Sequence, residues 1–227
     1  KNLNKVLLQP GTILEIKIKD NANIDNLNFF SSKFNNSAVI LRGKNFRINN
    51  VSFEEVNNRF ANSAIELRNV TGCLNILSSK FIINKFIING SNCEDGVNIV
   101  KSEGQINNLE IKDVISDGID LDYSRVNIKK INVSNAAGDC IDLSFGNYFI
   151  ENAYANKCGD KGLSVGEKST IYLSTFISNE EGYASSLDFQ SLDHYALTFD
   201  TDEMSKEISI STILDDDKSE ANESFYV

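Results

Sequence analysis

The chain has 227 residues, 32 acidic and 22 basic side chains, one His and one Pro, and a formal net charge of −10. That length suffices for one domain with a real core, and the 41% apolar content is too high for a disordered chain. The acid excess argues against nucleic acid or an anionic lipid surface as partner, because either needs clustered Lys and Arg.

With 30 Asn and 26 Ile, the chain combines a strand former with a turn former, so strand–turn–strand is expected throughout. The segment 6–18, with Pro10-Gly11 between apolar runs, reads as a first turn or cap. Ala38-Val39-Ile40-Leu41 followed by 48–53 reads as one pair of strands. Ala64-Ile65-Glu66-Leu67 followed by 76–81 reads as the next pair, and 81–89 as a longer turn or side strand.

From there a strict repeat begins. Gly96, Gly118, Cys140 and Gly162 are spaced by 22 residues. Each precedes an apolar–polar–apolar triplet: Val97-Asn98-Ile99, Ile119-Asp120-Leu121, Ile141-Asp142-Leu143 and Leu163-Ser164-Val165. A second strand follows in the same register, through Ile106, Leu109 and Ile111, then Ile128, Ile131 and Val133, then Ile150, Ala153 and Ala155. Alternation of this kind marks strands with one buried face.

No helical stripe competes with it, and the Leu and Asn positions of a leucine-rich repeat are missing. The expected fold is all-β: a right-handed, single-stranded parallel β-helix of about seven to nine turns. Residues 1–34 are expected to form a cap or first turn, 35–187 the β-helix, and 188–227 irregular acidic turns or a cap. Within that last part, 195–199 and 208–214 are candidate strands. A start at Lys1 without Met is expected of a piece of a longer polypeptide. No run of eighteen apolar residues suggests a membrane span or a signal peptide.

Cys73, Cys93, Cys140 and Cys158 form no CxxC pair. A disulfide framework is possible, but buried free thiols are the preferred expectation for a chain this long.

The chemistry is expected in stacked acids. Asn98, Asp120, Asp142 and Ser164 form one column, and Asp95, Asp117, Asp139 and, one place off, Asp160 form another, with Glu94, Asp122 and Glu167 nearby. Two carboxylates one rung apart, about 4.8 Å, repel by about 3–4 kcal/mol at an effective dielectric of 20. A shared proton, a bound cation such as Ca²⁺, a base such as Lys161 or a polar ligand would each relieve that. Asp95, Asp117 and Asp139 also suit a purely structural turn role. Asn-rich positions such as Asn49, Asn50, Asn107 and Asn108 are expected to form amide ladders along the axis. Tyr123, Tyr148, Tyr154 and Tyr172 are candidates for a sugar-binding surface or simply exposed. His194 is assigned no role.

The runs Ser116-Asp117-Gly118-Ile119-Asp120, Gly138-Asp139-Cys140-Ile141 and Gly159-Asp160-Lys161-Gly162 resemble the turn motifs of polygalacturonase-type glycoside hydrolases. The chain departs from that pattern at Cys140 and near Asp160-Lys161. Residues 35–200 are also similar to bacterial β-helix regions of the pectin-lyase-like superfamily, notably those found with spore-coat-kinase-like surface proteins.

The resemblance implies an extracellular or cell-envelope module, part of a larger polypeptide or assembly, that binds a polysaccharide or cell-surface glycan or serves as a spacer. The alternative is a polysaccharide-active enzyme, either a hydrolase or a Ca²⁺-assisted lyase. There Asp139 would be the general acid, with Asp117 and Asp142 activating water or holding the cation; in a lyase Lys161 would serve as the base or polarise the uronate carboxylate. Asp120, Asp142, Asp160 and Tyr123 are the ligand-binding candidates, and Asp117, Asp120, Asp139 and Asp142 the metal candidates.

Overall fold

The computed structural model describes residues 3–32, 37–56, 70–166 and 168–179. Its first six strands are β1 (Leu3–Leu8), β2 (Ile13–Lys17), β3 (Asn23–Ser32), β4 (Ala38–Arg42), β5 (Phe46–Val56) and β6 (Gly72–Leu77). The next five are β7 (Lys80–Ser91), β8 (Asp95–Val100), β9 (Glu103–Val114), β10 (Asp117–Asp122) and β11 (Arg125–Ala136). The last four are β12 (Ile141–Ser144), β13 (Asn147–Cys158), β14 (Ser164–Val165) and β15 (Thr170–Asn179).

All pairings are parallel. Odd-numbered strands form one eight-stranded sheet in chain order, and even-numbered strands form a seven-stranded sheet. This is a β-solenoid of about seven turns, the lower end of the expected range. Partners from β8 to β14 in the seven-stranded sheet differ by 22 residues, as in Asn98, Asp120, Asp142 and Ser164. The expected first turn at 6–18 is already part of both sheets, since β1 pairs with β3 and β2 with β4.

Apolar residues fill the interior in vertical columns. Phe29, Phe53, Ile88, Ile111, Val133 and Ala155 are register partners, and all are almost fully buried. The segment 81–89 is therefore no side strand. Its Phe81, Ile83, Phe86 and Ile88 point into the core as part of β7. Ile76 likewise belongs to the seven-stranded sheet, above Leu41 and below Ile99, rather than to a second strand running to Phe81. The segment 64–67, expected to pair with it, lies outside the described residues, as do 195–199 and 208–214.

Three corners turn the chain. Ser78, Lys101, Tyr123, Phe145 and Lys168 have φ between 49° and 55°, a left-handed conformation that is costly for side chains of this size. A second corner lies inside each long strand, where two successive side chains point outward, such as Asn107-Asn108. There Asn84 donates to Asn49 and Asn107 donates to Asn84, both at 3.0 Å, giving the expected amide ladder. The third corner repeats at Gly90, Asp113, Asn135 and Lys157, again with positive φ.

The cysteines correct an expectation. Cys73 is bonded to Cys93 and Cys140 to Cys158, with Cα–Cα distances of 5.3 and 5.4 Å. The sequence separations of 20 and 18 residues are just short of one turn, so each bridge closes a single coil on itself. Closing a loop of this size removes unfolded-state entropy equivalent to about 3 kcal/mol.

Candidate functional site

The two acid columns take different roles. In the turn column, Asp139 N–H donates to Asp117 Oδ1 at 2.7 Å, and Lys161 N–H donates to Asp139 Oδ1 at 2.8 Å. Each carboxylate thus fastens the next coil's turn, which is the structural role the residue type suits. Lys161 Nζ pairs with Asp160 Oδ2 at 2.7 Å and lies 3.9 Å from Asp139 Oδ1. Burial raises the Asp117 carboxyl above its ordinary range, and pushes Asp139 up to about 6 against the opposing pull of Lys161.

In the strand column, the two amides fold back toward the turn residue three places earlier. Asn75 Oδ1 accepts the Gly72 N–H, and Asn98 Nδ2 donates to Asp95 Oδ2 at 3.3 Å. Asn98 Nδ2 also donates to Asp120 Oδ2 at 2.9 Å. At Asp120 the column changes from amide to carboxylate, with Asp142 as its register partner. A donor is replaced by a second acceptor. Burial, then Asp95, Asp122, Asp142 and Asp117, push Asp120 up to about 8, and burial pushes Asp95 to about 7. A proton held in this column relieves the repulsion without any ion. Among the described residues, no group of three or more His, Cys, Asp or Glu side chains is arranged to hold a metal ion.

A different surface gathers around Tyr123. Its ring stacks on Phe145, with centroids 4.7 Å apart, and Phe149 stacks on Tyr172 at 4.5 Å. Among the described residues only five large apolar side chains are exposed, and three of them are here: Tyr123 at 54%, Phe149 at 41% and Tyr172 at 56%. Phe145, Asn147 and Phe149 alternate outward along one coil. Arg125 and Thr170 are the register partners of Asn147 on the coils to either side. The result is a strip of aromatic edges with amide, hydroxyl and guanidinium groups between them.

The structure thus separates the sequence-derived candidates. Asp117, Asp139, Asp160 and Lys161 meet in the turn ladder, Asp120 and Asp142 in the strand column, and Tyr123 stands at the corner. Tyr172 joins the Tyr123 surface, but Tyr148 is fully buried and is no surface candidate. Tyr154 is half-buried elsewhere, with Lys130 Nζ 5.3 Å from its ring centroid. Phe145 and Phe149 were not expected here. Their signal was the 22-residue step from Tyr123 to Phe145 and the 23-residue step from Phe149 to Tyr172. Comparison with protein families, curated proteins and solved structures finds no match to this chain.

Proposed function

We propose that the chain is a non-catalytic β-solenoid module of an extracellular or envelope protein, and that it binds glycan through the aromatic strip around Tyr123. The observation that carries this reading is the gathering of three exposed aromatic side chains on one face, interleaved with Asn147, Thr170 and Arg125. Monomeric proteins rarely leave such a patch without a partner. Sugars combine apolar C–H faces with hydroxyls, which suits the outer faces of the stacked ring pairs together with the amide, hydroxyl and guanidinium groups between them. Two disulfides fit an oxidising compartment, and the likeness to pectin-lyase-like β-helix regions agrees with both points.

The enzyme alternative loses support because Asp117 and Asp139 each engage a carboxylate oxygen with the backbone of the next coil. A hydrolase pair needs both groups facing a bond to be broken. The test is binding to a panel of soluble glycans by the parent protein and by Tyr123→Ala and Tyr172→Ala. Binding by the parent, weakened at least tenfold in both variants with unchanged melting, supports the module. Failure to bind any glycan leaves a spacer.

A further inference from the structure

Beside the aromatic strip, toward the N-terminal coils, runs a groove of about 670 Å³ lined by Lys44, Lys80, Lys101, Tyr123, Arg125 and Phe145. It continues into a second hollow of about 470 Å³ that also carries Arg47. In a chain of net charge −10, the first hollow collects four cations against a single acid, Glu103. Lys101 Nζ lies 6.0 Å from the Tyr123 ring centroid, which joins the groove to the aromatic strip.

The charges have an order. Lys80, Glu103 and Arg125 are register partners on three successive coils. Cation, anion and cation therefore follow each other along the axis, with the two cations two rungs, about 9.6 Å, apart. An extended glycan laid along the axis advances roughly one sugar per rung. Its acidic groups meet Lys80 and Arg125 whether every sugar or every second sugar is charged, so the residue that discriminates is Glu103 between them. A charge on every sugar would set one carboxylate against Glu103, and like charges in such a contact repel. Glu103 already bonds Lys80 Nζ at 3.1 Å, both groups being about half exposed, and an exposed pair of this kind holds Lys80 only weakly.

We propose that this groove selects an acidic heteropolysaccharide in which a charged sugar alternates with an uncharged one. The assignment rests on the glycan-binding reading given above. The uncharged sugar lies opposite Glu103, and the charged sugars lie at Lys80 and Arg125, with Lys101 and Lys44 adding to the field. Aromatic edges at Tyr123 and Phe145 bound the groove on the C-terminal side.

The experiment is titration calorimetry of the whole chain with four probes of equal length. These are hyaluronan oligosaccharide, oligogalacturonate, a neutral chitin oligosaccharide and a single-stranded oligonucleotide. Hyaluronan is expected to bind best, and to weaken as salt rises. Lys80→Gln and Arg125→Gln should each lose about tenfold in affinity for it. Glu103→Gln, which also frees Lys80, should strengthen oligogalacturonate binding several-fold more than hyaluronan binding and so narrow the preference.

Equal binding of the neutral probe, or full affinity in both cation variants, overturns the charge pattern while leaving the glycan module standing. Tighter binding of oligogalacturonate by the parent protein, or of the oligonucleotide, also overturns it. No binding of any glycan by the parent protein overturns the inference and the module reading together. Melting curves of the variants separate lost affinity from lost fold.

Discussion

Gly146 and Tyr148 together replace one serine of a buried ladder. Gly43 N–H donates to Ser79 Oγ at 3.1 Å, Ser79 N–H to Ser102 Oγ at 3.1 Å, and Ser102 N–H to Ser124 Oγ at 3.0 Å. The next position is Gly146, which has no hydroxyl, and the Tyr148 phenol takes over. It accepts from Ser124 N–H, and its single O–H donor lies 2.7 Å from both the Leu121 and the Ser144 carbonyl oxygens, which share it. Those carbonyls occupy the same places in the repeat as Ile99 and Asp122, which Ser124 uses. A Cβ on Gly146 would fall 2.3 Å from the phenol oxygen, so the glycine is what makes room.

This pairing predicts that Tyr148→Phe is destabilising. It strands a buried N–H and removes the one O–H donor that two carbonyls share, a loss of about 1–3 kcal/mol. Gly146→Ser alone should also destabilise, by clash. The double change Gly146→Ser with Tyr148→Val copies Ser124 and Val126 of the preceding coil and should recover part of the hydrogen-bond loss. Chemical denaturation checks this, and a double variant less stable than both single ones would contradict the substitution logic.

The acid columns predict a pH dependence. Asp120, Asp95 and Asp139 are held up to about 8, 7 and 6, and outside the columns burial holds Glu55 of β5, which accepts from Asn92, up to about 7. All four lie above their ordinary values, so the folded chain binds more protons than the unfolded chain between about pH 4 and 8. Stability is then fully present below the unfolded pKa and falls as pH rises through the folded one. The melting temperature should be higher at pH 5 than at pH 8.5. Asp120→Asn, which restores the amide found at Asn75 and Asn98, should raise the value at pH 8.5 and flatten the slope. A steeper fall in the variant would show that Asp120 is not a source of the trend.

The fold was legible because its period is written in chemistry that has to stack. Gly96, Gly118, Cys140 and Gly162 occupy one register position at the start of the even-numbered strands, and inward Ile and Val repeat behind them. Earlier coils were harder to read, because the step from Val39 to Leu74 is 35 residues and hides the register. The disulfides were misread for a related reason. Cys73 and Cys140 fall in the column shared with Gly96 and Gly118, and each partner follows just under one turn later. Only a periodic view brings those cysteines together. Asp117, Asp120, Asp139 and Asp142 were placed on adjacent coils by register alone, but their hydrogen-bond partners depend on backbone geometry that no residue pattern encodes. The Ser-to-Tyr148 exchange was illegible for the same reason, since the phenol reaches its partners from two positions away.

The bridges give a third prediction. Without reductant the folded chain should show no reactive thiol, since all four cysteines are paired. Replacing Cys140 and Cys158 by Ser should lower stability by about 2–4 kcal/mol, the usual worth of a native bridge. Alkylation followed by mass measurement, with and without reductant, checks the pairing, and denaturation checks the cost. Four reactive thiols in the untreated protein would restore the free-thiol reading.

Asp139 offers the sharpest separation of scaffold from catalyst. Its Oδ1 accepts the Lys161 N–H at 2.8 Å, and an amide oxygen can accept that bond as well as a carboxylate oxygen can. Asp139→Asn should therefore keep the turn and leave stability near that of the parent, since the attraction to Lys161 and the repulsion from Asp160 and Asp117 are lost together. Asp139→Ala removes the acceptor and should cost about 1–2 kcal/mol. If Asp139 were instead a general acid acting on a glycan, both variants would abolish turnover equally, since neither side chain can give up a proton. The measurement is a pair: denaturation of both variants, and release of reducing ends or unsaturated uronate from a polysaccharide panel by the parent and both variants. Graded stability with no product release assigns Asp139 to the scaffold, whereas product release lost in both variants assigns it to catalysis.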